Sequence, residues 1–131
     1  MDVLDKYIAE LSEDTALNEF TMKDVQMKLP GIKHKWAGRL MRAKLDKETL
    51  IRNRRRLINK MSNELIERSP IKISFPVAKQ KVEGHNTITD MDEELANKVV
   101  VIEFLEKAER ILNSMTFDIK NLTEIMKLEI Q

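Results

Sequence analysis

The amino-acid sequence predicts a mostly α-helical protein, on three observations. Apolar residues recur at three- and four-residue spacing over long stretches, charged residues make up 34% of the chain, and aromatics only 5%. Gly and Pro, three of each, are too few to punctuate a sandwich or barrel. At 131 residues a single domain is expected, with a modest core and much exposed surface, a shortfall that small helical proteins often remedy by oligomerising. The expected plan is one helical domain over 1–131: acidic N-terminal helices over 1–30, a basic helix over 31–68, a loop or hairpin over 69–90 and C-terminal helices over 91–131.

Val3, Leu4, Tyr7, Ile8 and Leu11 stand at helical spacing and predict a short first helix. Thr21 is placed as the N-cap of a second short helix carrying Met22, Val25 and Leu29, with Asp24 favouring its N-terminus and Pro30-Gly31 stopping it. The longest pattern runs from Lys33 to Arg68. There Trp36, Leu40, Ala43, Leu50, Ile51, Leu57, Ile58, Met61 and Leu65 share one arc of about 120°. A helix of that span would be about 54 Å long, which suits an arm or a helix packed on copies of itself, with Gly38 a point of bending or interruption.

Ser69-Pro70 ends that helix. Ile71, Ile73, Phe75 and Val77 then alternate with polar residues, Pro76 weakens a strand, and Gly84-His85-Asn86 resembles a turn. A short β-hairpin, an edge strand or an ordered loop is expected over 70–89. Asp90 is placed as N-cap of a helix to about Ser114, with Val100, Val101, Phe104, Leu105, Ala108, Ile111, Leu112 and Met115 on its apolar face. A break near Ser114-Met115-Thr116 separates it from a last helix, whose stripe of Ile119, Leu122, Ile125, Met126 and Ile130 must dock on something.

Several function classes are disfavoured. Without cysteine there are neither disulfides nor thiolate metal sites, and a reducing cytoplasm is the natural compartment. The start, Met1-Asp2-Val3-Leu4-Asp5, is acidic and unlike a signal peptide, and no apolar run approaches the roughly 18 residues of a spanning helix, so a soluble, unexported protein is expected. His34 and His85 are far apart and neither has metal-ligand spacing. Phosphate-binding glycine loops, nucleophile elbows and H-E-x-x-H are lacking, and Glu93-Glu94 and Glu103/Glu106 read as solvated carboxylates. A non-enzymatic protein with no cofactor and no metal is expected.

The net charge of +1 conceals a sorted distribution. Residues 1–30 net −4, residues 61–90 balance, and residues 91–131 net −4. Residues 31–60 carry eleven Lys/Arg against only Asp46 and Glu48, a net of +9. Such sorting points to a localised anionic partner. On helical geometry Lys35, Arg39, Arg42, Arg52, Arg56 and Lys60 share an arc of about 140° opposite the apolar stripe, flanked by Lys44 and Arg55.

Guanidinium groups pair bidentately with phosphate oxygens, and each neutralised phosphate releases counterions. With Lys33 and Arg54 these residues make the candidate DNA-binding set; the plainer alternative is a solvated charged face. Lys47 and Arg54 project onto the apolar stripe, either snorkelling at its rim or facing acidic groups across a subunit interface. Trp36, on the apolar arc, suits the core better than stacking on a base. With so few aromatics, binding should be dominated by the phosphate backbone and indifferent to base sequence.

Several anchors resemble the UvsY family, the recombination mediator proteins of large tailed phages, and together they span nearly the whole chain. Glu10-Leu11 with Asp14 is similar near the N-terminus, and Lys35-Trp36 opens a long basic helix at about the family's distance. Phe117-Asp118-Ile119-Lys120, continuing through Met126 to Glu129, resembles the family's closing F-x-I-K helix. The family's K-A-R-L segment comes closest here as Arg54-Arg55-Arg56-Leu57, and the two tyrosines that follow it in the family are absent.

The resemblance implies a homo-oligomer, a ring of heptamer-like form, that binds single-stranded DNA, with the phage recombinase and the single-stranded-DNA-binding protein as further partners. It implies that the mediator loads the recombinase onto coated strands in the cytoplasm of an infected bacterial host. It places oligomer formation on the C-terminal helix, here Ile119, Leu122, Ile125, Met126 and Ile130. Tethered copies of the basic helix would raise effective concentration and let a bare strand wrap the assembly, which a stiff duplex resists. The competing expectation is a structural or adaptor protein whose basic helix pairs with acidic protein surfaces.

Overall fold

The computed structural model describes residues 2–130 and is helical almost throughout: α1 (Asp2–Asp14), α2 (Met22–Arg68), α3 (Phe75–Glu83) and α4 (Asn86–Ile130). No strand occurs among the described residues, and none of their helices is long and apolar enough to cross a membrane. The chain packs as two compact units, one of Met1–Arg42 with Val101–Gln131 and one of Ala43–Val100.

The first unit is built on the apolar faces of α1, the start of α2 and the later part of α4. Its core gathers Leu11, Leu29, Trp36 and Leu40 with Ile102, Leu105, Ala108, Leu112, Met115 and Ile119, all buried. Trp36 is only 1% exposed and meets Tyr7 and Phe104 edge-on, at centroid distances of 5.5 and 6.3 Å. In the second unit Ile58, Val82 and Ile88 form the core, flanked by Leu57, Met61, Leu65 and Met91. Ser62 is fully buried there and its hydroxyl has no partner among the described residues.

Four expectations about helix boundaries are corrected. Pro30-Gly31 does not stop α2, which starts at Met22 and continues unbroken to Arg68. Proline removes one backbone donor, but Leu29 and Trp36 on either side of it are buried, and packing of an apolar face supplies most helix stability in proteins. Thr21 does stand at the expected N-cap position, immediately before Met22, although its hydroxyl bonds outside the helix. The hydroxyl accepts from the Asn18 N–H at 3.2 Å, while the Thr21 carbonyl accepts the first helical bond, from the Val25 N–H at 2.9 Å.

Residues 70–89 hold neither a hairpin nor an irregular loop but α3 and the start of α4. Pro76 sits in the first turn of α3, where its fixed φ suits a helix and its missing N–H costs nothing, and Ser74 precedes it with extended backbone. Ala78 and Val82, one turn apart, carry the buried face, whereas Ile71, Phe75 and Val77 of the apparent alternation are exposed. The turn residues 84–86 end α3 and open α4 at Asn86, four residues before Asp90, with the His85 Nδ1 accepting from the Thr87 N–H at 3.2 Å.

Finally, the two expected C-terminal helices are one. α4 crosses Ser114–Thr116 without a break because Leu112, Met115 and Ile119 continue a single buried stripe. Ser114 and Thr123 turn their hydroxyls back onto their own helix, donating to the carbonyls of Ile111 and Ile119 at 2.8 Å each.

Candidate nucleic-acid interface

The cations of α2 meet two different surroundings. In the first unit, α1 lays Glu10 and Asp14, one turn apart, against Lys35 and Arg39, also one turn apart. The Lys35 ammonium donates to Glu10 at 3.0 Å and to Asp14 at 2.6 Å. The Arg39 guanidinium donates to both Glu10 oxygens, at 2.5 and 3.3 Å. It also lies over the rings of Tyr7 and Trp36, at 4.8 and 4.7 Å from their centroids. The Trp36 indole N–H donates to the same Asp14 oxygen as Lys35, at 2.8 Å.

Protonation follows from this clamp. The bonds from Arg39, then those from Lys35, hold the Glu10 carboxyl below its ordinary range. Burial pulls the Lys35 ammonium down, but its bonds to Asp14 and Glu10 outweigh that and leave it above the usual lysine value. Lys33, in the same unit, donates to the Thr116 hydroxyl at 3.2 Å. Arg42 is exposed.

In the second unit Lys44, Arg52, Arg55, Arg56 and Lys60 are all exposed. Among the described residues neither these five nor Arg42 forms an ion pair. Arg52, Arg56 and Lys60 follow one another at single-turn intervals, with Arg55 flanking that row. Arg54 points elsewhere: its Nε donates to Asp92 on α4 at 2.6 Å. That pair, within one chain, answers the question of what Arg54 faces on the apolar side of the helix. Beside it lies a groove of about 350 Å³. Helix α2 contributes Ile51, Arg54, Arg55, Ile58 and Asn59, α3 contributes Lys79, and α4 contributes Asp92 and Leu95.

Of the residues placed in the basic set, Lys35, Arg39 and Arg54 are therefore engaged by carboxylates of the same chain. Sequence reading missed the partners Glu10 and Asp14, although a signal existed: two acids at i, i+4 match two cations at i, i+4. It also missed Lys79, which lay in a stretch read as hairpin or loop. Of the candidate oligomerisation residues, Ile119 is buried within its own unit, Leu122 and Met126 are partly buried, and Ile125 and Ile130 are exposed at 53% and 84%. No cluster among the described residues could hold a metal ion.

Fold and charge together define a class: a mostly helical protein whose long helix displays arginines that form no ion pair among the described residues. The fold is UvsY-like. It is similar to the crystal structure of the bacteriophage T4 recombination mediator protein UvsY, with a TM-score of 0.80 over 96% of this chain and 98% of that one, at 14% sequence identity. No family model and no curated protein matches the sequence.

Proposed function

We propose that the protein is a recombination mediator that binds single-stranded DNA through phosphate contacts and helps load a recombinase onto strands coated by single-stranded-DNA-binding protein. The observation that carries this reading is the coincidence of two features. The fold is that of a phage recombination mediator, and among the described residues Arg52, Arg55, Arg56 and Lys60 stand exposed and form no ion pair. Phosphate binding needs such cations and little else, because its free energy comes largely from counterion release. The role requires no chemical step, and the protein acts as a non-enzymatic homo-oligomer in the cytoplasm of a phage-infected bacterium.

Assembly multiplies one weakly binding face into many tethered ones, which raises the effective concentration for a long flexible strand. Ile125, Leu128 and Ile130, exposed at the C-terminal end of α4, are among the apolar groups available for it. Ile119, by contrast, acts inside the unit that carries it.

The test is reconstitution. Recombinase assembly on a coated single strand should proceed faster with the wild-type chain, and the gain should vanish with the R52A/R55A/R56A variant. A chain that binds no single strand at low salt contradicts the reading. One observation favours the adaptor alternative: Lys35 and Arg39 already grip acidic side chains of a neighbouring helix. It predicts negligible DNA affinity and retention of an acidic protein partner.

A further inference from the structure

The groove beside the exposed arginines is lined by aliphatic as well as polar side chains. Ile58 is 3% exposed, and Ile51 and Leu95 are half-buried beside it. Its rim is cationic and polar: Arg55 from α2, Lys79 from α3 and the Asn59 amide, all exposed. The one carboxylate in the lining, Asp92, is neutralised by Arg54 at 2.6 Å, so Arg55 and Lys79 remain as surplus positive charge. A face evolved only to hold phosphates needs no such recess. At about 350 Å³ it has the size of a small-molecule cleft, whose usual range begins near ~300 Å³.

We infer that this groove receives a single unstacked nucleobase of the bound strand, with the flanking phosphates held by Arg55 and Lys79. The inference rests on the single-strand-binding reading above and deepens it. A heterocyclic base is a flat, largely apolar body with polar edges. The aliphatic members of the lining, Ile51, Ile58 and Leu95, offer its face an apolar contact, and the Asn59 amide, which both donates and accepts, suits an edge of either purines or pyrimidines. Occupancy is therefore tolerant of base identity. It also supplies a source of strand preference that phosphate contacts lack: a base leaves a single strand at small cost, whereas in a duplex it must first unpair and unstack.

The experiment compares two probes on the full chain: a mixed-sequence single-stranded oligodeoxynucleotide and a strand of equal length in which every residue is abasic. Both carry the same phosphates. The base-carrying strand should bind about tenfold more tightly, a difference of roughly 1.4 kcal/mol. Filling the groove with L95W should bring the base-carrying strand down to the abasic level and leave the abasic strand unchanged. If L95W does not fold, N59W at the exposed rim serves the same purpose. Equal affinity for the two strands overturns base insertion while leaving phosphate binding intact. A base-dependent difference that survives a filled groove places the base elsewhere and also overturns it. Binding of neither strand at low salt defeats this inference and the proposed function together.

Discussion

Two stretches of one helix carry the same kinds of side chain and do different work. From Lys35 to Arg39 the cations of α2 are half-buried, paired with Glu10 and Asp14 and laid against aromatic rings. From Arg52 to Lys60 they are exposed, and apart from Arg54 they are unpaired among the described residues. The first stretch fastens α1 to the rest of its unit; the second has charge to spare for a polyanion. Positive charge counted along a sequence is thus an upper bound on positive charge available to a ligand. Of the eleven cations in residues 31–60, three are spent on carboxylates of the chain itself.

That contrast can be broken or sharpened by substitution. The largest effect on stability is expected from W36A, which removes the largest fully buried side chain of the first unit and one of the two donors to the Asp14 carboxylate. A loss of about 3–5 kcal/mol is predicted, read by urea unfolding followed by circular dichroism. D14A should cost about 1–3 kcal/mol, because the half-buried Lys35 ammonium loses its shorter bond and the buried indole N–H loses its acceptor. The lone tryptophan makes its fluorescence a local reporter of this unit. A D14A chain of unaltered stability would show that the clamp is not structural.

The clamp also sets a pH dependence. Glu10 is held below its ordinary value of 4.5, so its contribution is present above that pH and is lost as pH falls through the lowered value. Lys35 is held above 10.5, so its contribution is present below that pH and is lost as pH rises through the raised value. Melting temperature should be level between these limits as far as these groups are concerned. E10Q should flatten the acid limb, a result checked by thermal scans below pH 5 on both chains. The smallest stability effect belongs to R52A/R55A/R56A, within about 0.5 kcal/mol at each site, since the three side chains are exposed and touch no carboxylate.

Apolar periodicity made the helices legible, because each core stripe recurs at helical spacing whatever it packs against. Boundaries were less so. Pro30-Gly31 and Ser114–Thr116 look like stops locally, but Leu29, Trp36, Leu112, Met115 and Ile119 are anchored by tertiary burial that local signals do not contain. Phe75-Pro76-Val77 looked like an interrupted strand, yet the proline is a helix start once Ala78 and Val82 are recognised as the buried pair. In the candidate site, residue types and their helix were readable from charge sorting. Which cations are free was not, because pairing depends on α1 and α4, twenty-five or more residues away in sequence from the groups they neutralise at Glu10–Lys35 and Arg54–Asp92.

The most direct measurement is the salt dependence of single-strand affinity for the wild-type chain and for R52A/R55A/R56A. If the exposed stretch holds phosphates, the slope of log affinity against log salt should shrink by about 2, from roughly 0.7 per lost contact, while the melting temperature stays put. An unchanged slope, with the variant folded, would contradict the division of α2 into a structural half and a binding half.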